Sequence, residues 1–208
     1  CVSSGRILIH RSRYGEFCDK FVNRAAKLTT GDPFEYGVEN YYGPMISEEA
    51  IAKVMKYNEH VRNDVEASVV LNGDRLGDTL FMNPFVYQCE WGEKPYLKEE
   101  VFGPHVALVP FDTVDDAIRI YNDTEYGLAL GIITDDVRIA RRCRIECDTG
   151  MLYVNGGSVA AESHVVFGGV KKSGNGWKTA VGTHEAVTER IAVTVNYEKG
   201  ITWAQGMK

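Results

Sequence analysis

Three stretches of this chain of 208 residues combine side chains and spacings that could carry chemistry. The first is Cys1, followed by Val2-Ser3-Ser4-Gly5-Arg6. A cysteine attacks as its thiolate, which needs access and a depressed pKa. Ser3, Ser4 and Gly5 leave room beside it for a ligand or another backbone. Read alone, Cys1 is equally an inert thiol. The second stretch is Glu99-Glu100-Val101-Phe102-Gly103-Pro104. Two carboxylates beside an aromatic ring and a Gly-Pro turn, entering an apolar strand, suit a binding loop at a sheet edge. A solvated acidic turn has the same composition. The third is Phe167-Gly168-Gly169-Val170-Lys171-Lys172-Ser173-Gly174-Asn175-Gly176. Its glycines demand unusual backbone angles or close approach, and its two lysines suit a phosphate. It is not G-x-x-x-x-G-K-[ST], however, and no strand–GxGxxG–helix unit occurs in the chain. A long surface loop is the other reading. Cys143 and Cys147 stand at i and i+4, on one helix face; a metal there would need further ligands, and no nearby His or Cys supplies them. They read as small buried hydrophobes, and no metal site is predicted.

The elements that must position these residues alternate strand and helix. Strands are predicted at 6–10, 67–71, 85–88, 106–111, 128–134 and 151–154, and helices at 14–28, from Ser47 onward, 114–121 and 136–145. Phe17, Phe21, Ala25 and Leu28 recur at helical spacing. Ser47 followed by Glu48-Glu49 has the polar cap and early acidic charge of a helix start, and Ile51, Val54, Met55 and Val61 follow on one side. Residues 190–197 alternate like a half-buried strand. Strands separated by helices of this length imply crossover units and a largely parallel sheet.

Bulk properties narrow the class. With 44% hydrophobic and 25% charged residues, the chain has the make-up of a globular protein. No apolar run reaches the ~20 residues of a membrane helix, so no membrane partner is expected. A net charge of −6 and a pI near 5.4 argue against a nucleic-acid partner, which favours a basic face. Five scattered cysteines, an odd number, read as reduced thiols in a cytoplasmic compartment rather than a disulfide framework. The chain opens at Cys1 with no initiator Met, charged leader or signal peptide, which reads as a fragment, a processed piece or one chain of a nicked protein.

Taken in order, these segments resemble the C-terminal half of the aldehyde dehydrogenase superfamily over essentially the whole chain. Cys1-Val2-Ser3-Ser4-Gly5-Arg6-Ile7 looks like the segment that starts at that family's active-site cysteine. Gly43-Pro44-Met45-Ile46 fits its G-P-x-[IV] turn, and residues 99–104 read as its E-E-[IV]-F-G-P motif. Asn122 through Tyr126-Gly127-Leu128 resembles N-x-x-x-Y-G-L, and Val154-Asn155 its V-N pair. Residues 167–176 match F-G-G-x-K-x-S-G-x-G. The chain departs from the pattern at Val166, where the family usually has Pro, and at Trp177-Lys178, where many members have Arg-Glu.

The resemblance implies an α/β fold, a mostly parallel sheet with flanking helices, over residues 1–188, followed by a C-terminal oligomerisation strand in 189–208. It implies an oxidoreductase that oxidises an aldehyde to a carboxylate with NAD or NADP. Cys1 is the implied catalytic nucleophile, passing through a thiohemiacetal and a thioester, with the Cys1 backbone N–H a candidate oxyanion donor. Glu100 is implied to hold the nicotinamide-side ribose and Phe102 to lie near the nicotinamide. Glu99 is the weaker choice and Asn155 a brace; His164 reads as a satisfied loop histidine. The cofactor-binding domain, the general-base glutamate and the second oxyanion donor would lie upstream of the cysteine. The implied partners are the aldehyde, the N-terminal cofactor-binding half and further copies of the same subunit, and the isolated chain is expected to be inactive. Alternatives are a CoA-acylating or acyl-phosphate-reducing member of the superfamily, a non-catalytic assembly fragment, and an unrelated α/β binding protein. By the same resemblance, loops from both halves shape the substrate pocket, so the aldehyde is not readable here, and the choice of NAD or NADP is set mainly upstream.

Overall fold

The computed structural model describes residues 1–35, 39–159, 162–176, 178–197 and 200. Its main sheet has the order β1-β4-β3-β2. Here β1 is Arg6–His10, β2 Ala67–Leu71, β3 Phe85–Cys89 and β4 His105–Phe111. β4 pairs in parallel with both β1 and β3, while β2 runs antiparallel to β3. The two inner strands are nearly continuous apolar runs because both their faces are covered. Pro110 lies beyond the residues of β4 that pair with β3, opposite Ile9 of β1 alone, where a missing N–H is tolerated.

Strand periodicity divides the core between two helices. α1 (Tyr14–Ala25) packs its Cys18 and Ala25 with Ile9, Val86 and Leu108 on one face of the sheet. α2 (Glu48–Arg62) packs Ile51, Val54, Tyr57 and Val61 with Phe85, Tyr87, Ala107 and Val109 on the other. The Ser47 side chain accepts from the Ala50 N–H, and Glu48 and Glu49 occupy the first turn, so the expected cap is present. α1 stops earlier than its apolar spacing predicts: after Ala25 the chain bends through 3.1 Å bonds from Lys27 and Leu28, and the Gly31-Asp32-Pro33 breaker follows.

A short helix, α3 (Pro95–Lys98), leads into β4. Beyond β4, α4 (Val114–Asn122) starts on a reciprocal cap between Thr113 and Asp116. The expected strand over 128–134 is present as β6 (Ala129–Ile132), which runs parallel to β7 (Met151–Val154) with α5 (Val137–Glu146) between them, and a short β5 (Tyr126–Gly127) ahead of it pairs with β9 (Val170–Lys171). β8 (Val166–Phe167), β10 (Thr179–Ala180) and α6 (Thr183–Ala186) follow, with β8 and β10 antiparallel.

Residues 190–197 do not form the expected strand. Every one of them is exposed, and none belongs to a strand among the described residues. An alternating pattern becomes a strand only when a neighbouring strand takes its backbone hydrogen bonds, and no described strand lies in register with it. Ile201-Thr202-Trp203 lie outside the described residues. No described helix is long and apolar enough to cross a membrane.

Candidate active site

The parallel pairing of β1 and β4 brings Cys1 and the carboxylate motif to the same edge of the sheet. Arg6 is in register with Ala107, and the Ala107 N–H donates to Gly5 O at 3.0 Å, so residues 1–5 and 99–104 both enter from the strands' N-terminal ends. Arg6 ties them further: its guanidinium donates to Leu97 O at 2.6 Å, two residues before Glu99. Burial lowers the Arg6 pKa, and the charge of nearby Glu100 is among the effects that oppose it. Cys1 itself is exposed, with a free thiol.

The segment after Cys1 is gripped from β7. The Ser158 hydroxyl, buried, donates to Val2 O at 2.5 Å and lies 3.2 Å from Ser4 Oγ. Ser158 is held there by a turn that begins at Asn155, whose φ is 57°. Asn155 accepts from Thr134 N at 2.9 Å and donates to Thr134 O at 3.0 Å, locking the end of β7 to the chain leaving β6. Asn155 thus ties the end of β7 to the chain after β6. Ser158 was not foreseen, since a lone serine in a Gly-rich turn gives no signal.

The motif residues divide into buried anchors and exposed heads. Val101 is buried in the core; Glu99, Glu100 and Phe102 are exposed. Phe102 has φ of 63°, an unusual backbone for a bulky residue, and the residue is 59% exposed. On the strand side, Pro104 O accepts from Phe85 N at 2.7 Å. A Cβ on Gly103 would come within 2.4 Å of Val54, which explains why that position has no side chain. His105 is buried, stacks on Phe85 and bonds Asn58 Oδ1 at 2.8 Å and the Tyr87 hydroxyl at 3.1 Å. Burial pushes its pKa down to about 4, so it is neutral at pH 7. The Tyr57 hydroxyl donates to the Glu99 carboxylate, and that bond pushes the phenol up to about 12.

The glycine-rich block is a clasp and not a phosphate cradle. Lys171 Nζ is spent on Asn122 O at 2.7 Å, Thr124 O at 3.1 Å and the Asp148 carboxylate at 3.0 Å. Lys172 pairs with Glu125 at 2.5 Å, and Ser173 Oγ accepts from Gly127 N at 3.1 Å. A Cβ on Gly150 would sit 1.8 Å from Gly168 O, so these glycines allow two backbones to touch. Asn122, the first residue of the N-x-x-x-Y-G-L segment, donates to Glu146 O at 2.7 Å and accepts from Asp148 N at 2.8 Å. Trp177 lies outside the described residues. His164 pairs with Glu162 at 3.1 Å on the surface. Burial raises the pKa of both Cys143 and Cys147, and no group of three metal-ligating side chains occurs among the described residues.

Residues 1–194 match the aldehyde dehydrogenase family. The chain belongs to that family. Among its relatives, 3-sulfolactaldehyde dehydrogenase of Priestia aryabhattai is 34% identical over 198 residues, 94% of this chain and 40% of that protein. An aldehyde dehydrogenase of Aspergillus niger is 36% identical over 177 residues, 85% of this chain and 35% of that protein. The aldehyde dehydrogenase of Bacillus cereus in its NAD+ complex superposes with a TM-score of 0.85 at 28% identity, over 93% of this chain and 39% of that one. The NADP complex of glyceraldehyde-3-phosphate dehydrogenase from Methanocaldococcus jannaschii gives 0.78 at 29% identity, over 87% and 38%. The mixed α/β architecture with its mostly parallel sheet is thus that of the aldehyde dehydrogenases, and the chain spans 40% or less of the length of these relatives.

Proposed function

We propose that this chain is the nucleophile-bearing part of an NAD(P)-dependent aldehyde dehydrogenase, with Cys1 attacking the aldehyde. The observation that carries the reading is the common sheet edge that presents an exposed Cys1 thiol together with Glu100 and the outward-facing Phe102. Family membership supports it, as do the NAD+ and NADP complexes of the superposed structures.

Cys1 Sγ adds to the aldehyde carbon to give a thiohemiacetal, and the oxygen that becomes negative requires placed donors, for which the Cys1 backbone N–H is one candidate. The chemistry supplied by bound NAD(P)+ is acceptance of the hydride that the thiohemiacetal carbon loses. Cys1 then carries the acyl group as a thioester, which water cleaves to the carboxylate and the free thiol. Glu100 accepts hydrogen bonds from ribose hydroxyls, and Phe102 lends its ring face to the nicotinamide side. Ser158 holds Val2 O and thereby the backbone that aims Cys1. Residues 1–188 form the catalytic unit, and 189–208 form a segment that pairs with another subunit in a homo-oligomer.

The deciding experiment uses the full-length protein, incubated with an aldehyde panel and NAD+ or NADP+, quenched, and mapped by peptide mass spectrometry. An acyl mass on Cys1, with NAD(P)H formed, is the expected outcome. Acylation at another cysteine, or none in an active sample, overturns the assignment. Acyl-CoA formed in place of the carboxylate when CoA is supplied would assign the protein to the acylating members of the superfamily.

A further inference from the structure

One stripe of α2 holds the whole segment that precedes β4. Lys53 Nζ donates to Glu100 O at 2.8 Å, Val54 fills the space against Gly103, the Tyr57 hydroxyl donates to the Glu99 carboxylate, and Asn58 bonds buried His105 at 2.8 Å. These four stand at i, i+1, i+4 and i+5, neighbours on one helical face. Between the anchored residues lies Phe102, left-handed at φ of 63° with its ring turned out. A bulky residue persists in that conformation only where its surroundings over-determine it. On the strand side the determination comes from core packing: Gly103 against Val54, Pro104 O on Phe85 N and His105 in its buried network. On the helix side it rests on Glu99, whose N–H closes α3 on Pro95 O at 2.9 Å and whose side chain meets Tyr57. Tyr57 is 8% exposed, so its phenol has little water to turn to, and a phenol on a carboxylate is a charge-assisted bond.

We propose that Tyr57 is a positioning residue for cofactor binding: by anchoring Glu99 to α2 it fixes the backbone from which Glu100 and Phe102 are presented. This rests on the reading of Glu100 and Phe102 as cofactor contacts. Glu99 acts on this account through its bond to the helix and not through contact with the cofactor, which gives the motif's first carboxylate a task distinct from its second.

The test compares Tyr57→Phe, Glu99→Leu, the double variant and Glu99→Gln in the full-length protein. Three quantities are read: NADH or NADPH affinity by fluorescence titration without aldehyde, cofactor-free hydrolysis of p-nitrophenyl acetate by the reactive thiol, and the thermal unfolding midpoint. Tyr57→Phe and Glu99→Leu are each expected to weaken cofactor binding about five- to tenfold, with ester hydrolysis held within about twofold. The double variant should bind no worse than the weaker single, because both remove one interaction. Glu99→Gln, which keeps an acceptor oxygen for the phenol, should restore most of the affinity. Wild-type affinity in Tyr57→Phe, multiplied losses in the double variant, or a parallel fall of ester hydrolysis and binding would each overturn the proposal. A wild-type protein that binds neither NADH nor NADPH would instead remove the cofactor reading itself, and this inference with it.

Discussion

Cys1 and His105 show how differently two reactive residue types are used in one sheet. Cys1 is exposed beside small neighbours, while His105 is sealed in the core with both ring nitrogens engaged. Replacing Cys1 with Ser should lower kcat in the full-length protein by at least about 1000-fold, as loss of a covalent nucleophile does; NAD(P)H formation rates check this, and a mild defect would exclude Cys1 from the chemistry. His105 should instead govern acid stability. Its folded pKa lies near 4, below the ordinary histidine value of about 6.5. The unfolded chain therefore takes up a proton first as pH falls, so stability is full above about pH 6.5 and drops towards pH 4, by on the order of 3 kcal/mol. Urea denaturation across that window measures the slope; a flat profile would show that His105 is not kept neutral by burial. His105→Leu should be less stable at pH 7 and less sensitive to acid.

α2 links core packing to the site, because the same helix that buries Ile51, Val54 and Val61 also fixes the loop carrying Glu100 and Phe102. Gly103→Ala tests this connection. Its methyl would come within 2.4 Å of fully buried Val54, a stiff β-branched side chain that cannot turn away. The substitution should cost about 1–3 kcal/mol of stability and weaken cofactor affinity, measured by denaturation and by NADH titration; an unchanged loop would separate the helix from the site. At this scale most elements were legible in advance. The Ser47 cap, the apolar stripe of α2 and the unbroken runs of β3 and β4 are local patterns that need no knowledge of neighbours. The partners of β5 and β6 were not legible, because β9 and β7 reach them from far along the chain.

For the molecule as a whole, the main sheet carries helices on both faces, and the chain spans 40% or less of the length of the relatives it matches. The isolated chain is therefore expected to give no NAD(P)H above background with any aldehyde, and co-expression with its upstream portion should restore activity. A rate from this chain alone near that of the full-length enzyme would overturn the division of labour. The segment 190–197 follows the same logic. Ile191, Val193, Val195 and Tyr197 alternate as a strand requires but stand exposed and outside every strand among the described residues.

Sequence alone determined the α/β class, the identity of most strands and helices, and, through ordered motifs, the candidate roles of Cys1, Glu100 and Phe102. The class and the elements follow from side-chain period, and the candidate roles are what the resemblance to the aldehyde dehydrogenases implies. Tertiary structure alone decided that Cys1 and the Glu100 loop share a sheet edge, that Ser158 and Tyr57 hold them, and that Lys171 and Lys172 are spent within a clasp. The reason is range. A cap or an apolar stripe is set by residues a few positions apart, whereas Ser158 meets Val2 across 156 residues and Tyr57 meets Glu99 across 42, separations that only the pairing of strands and the packing of α2 can close.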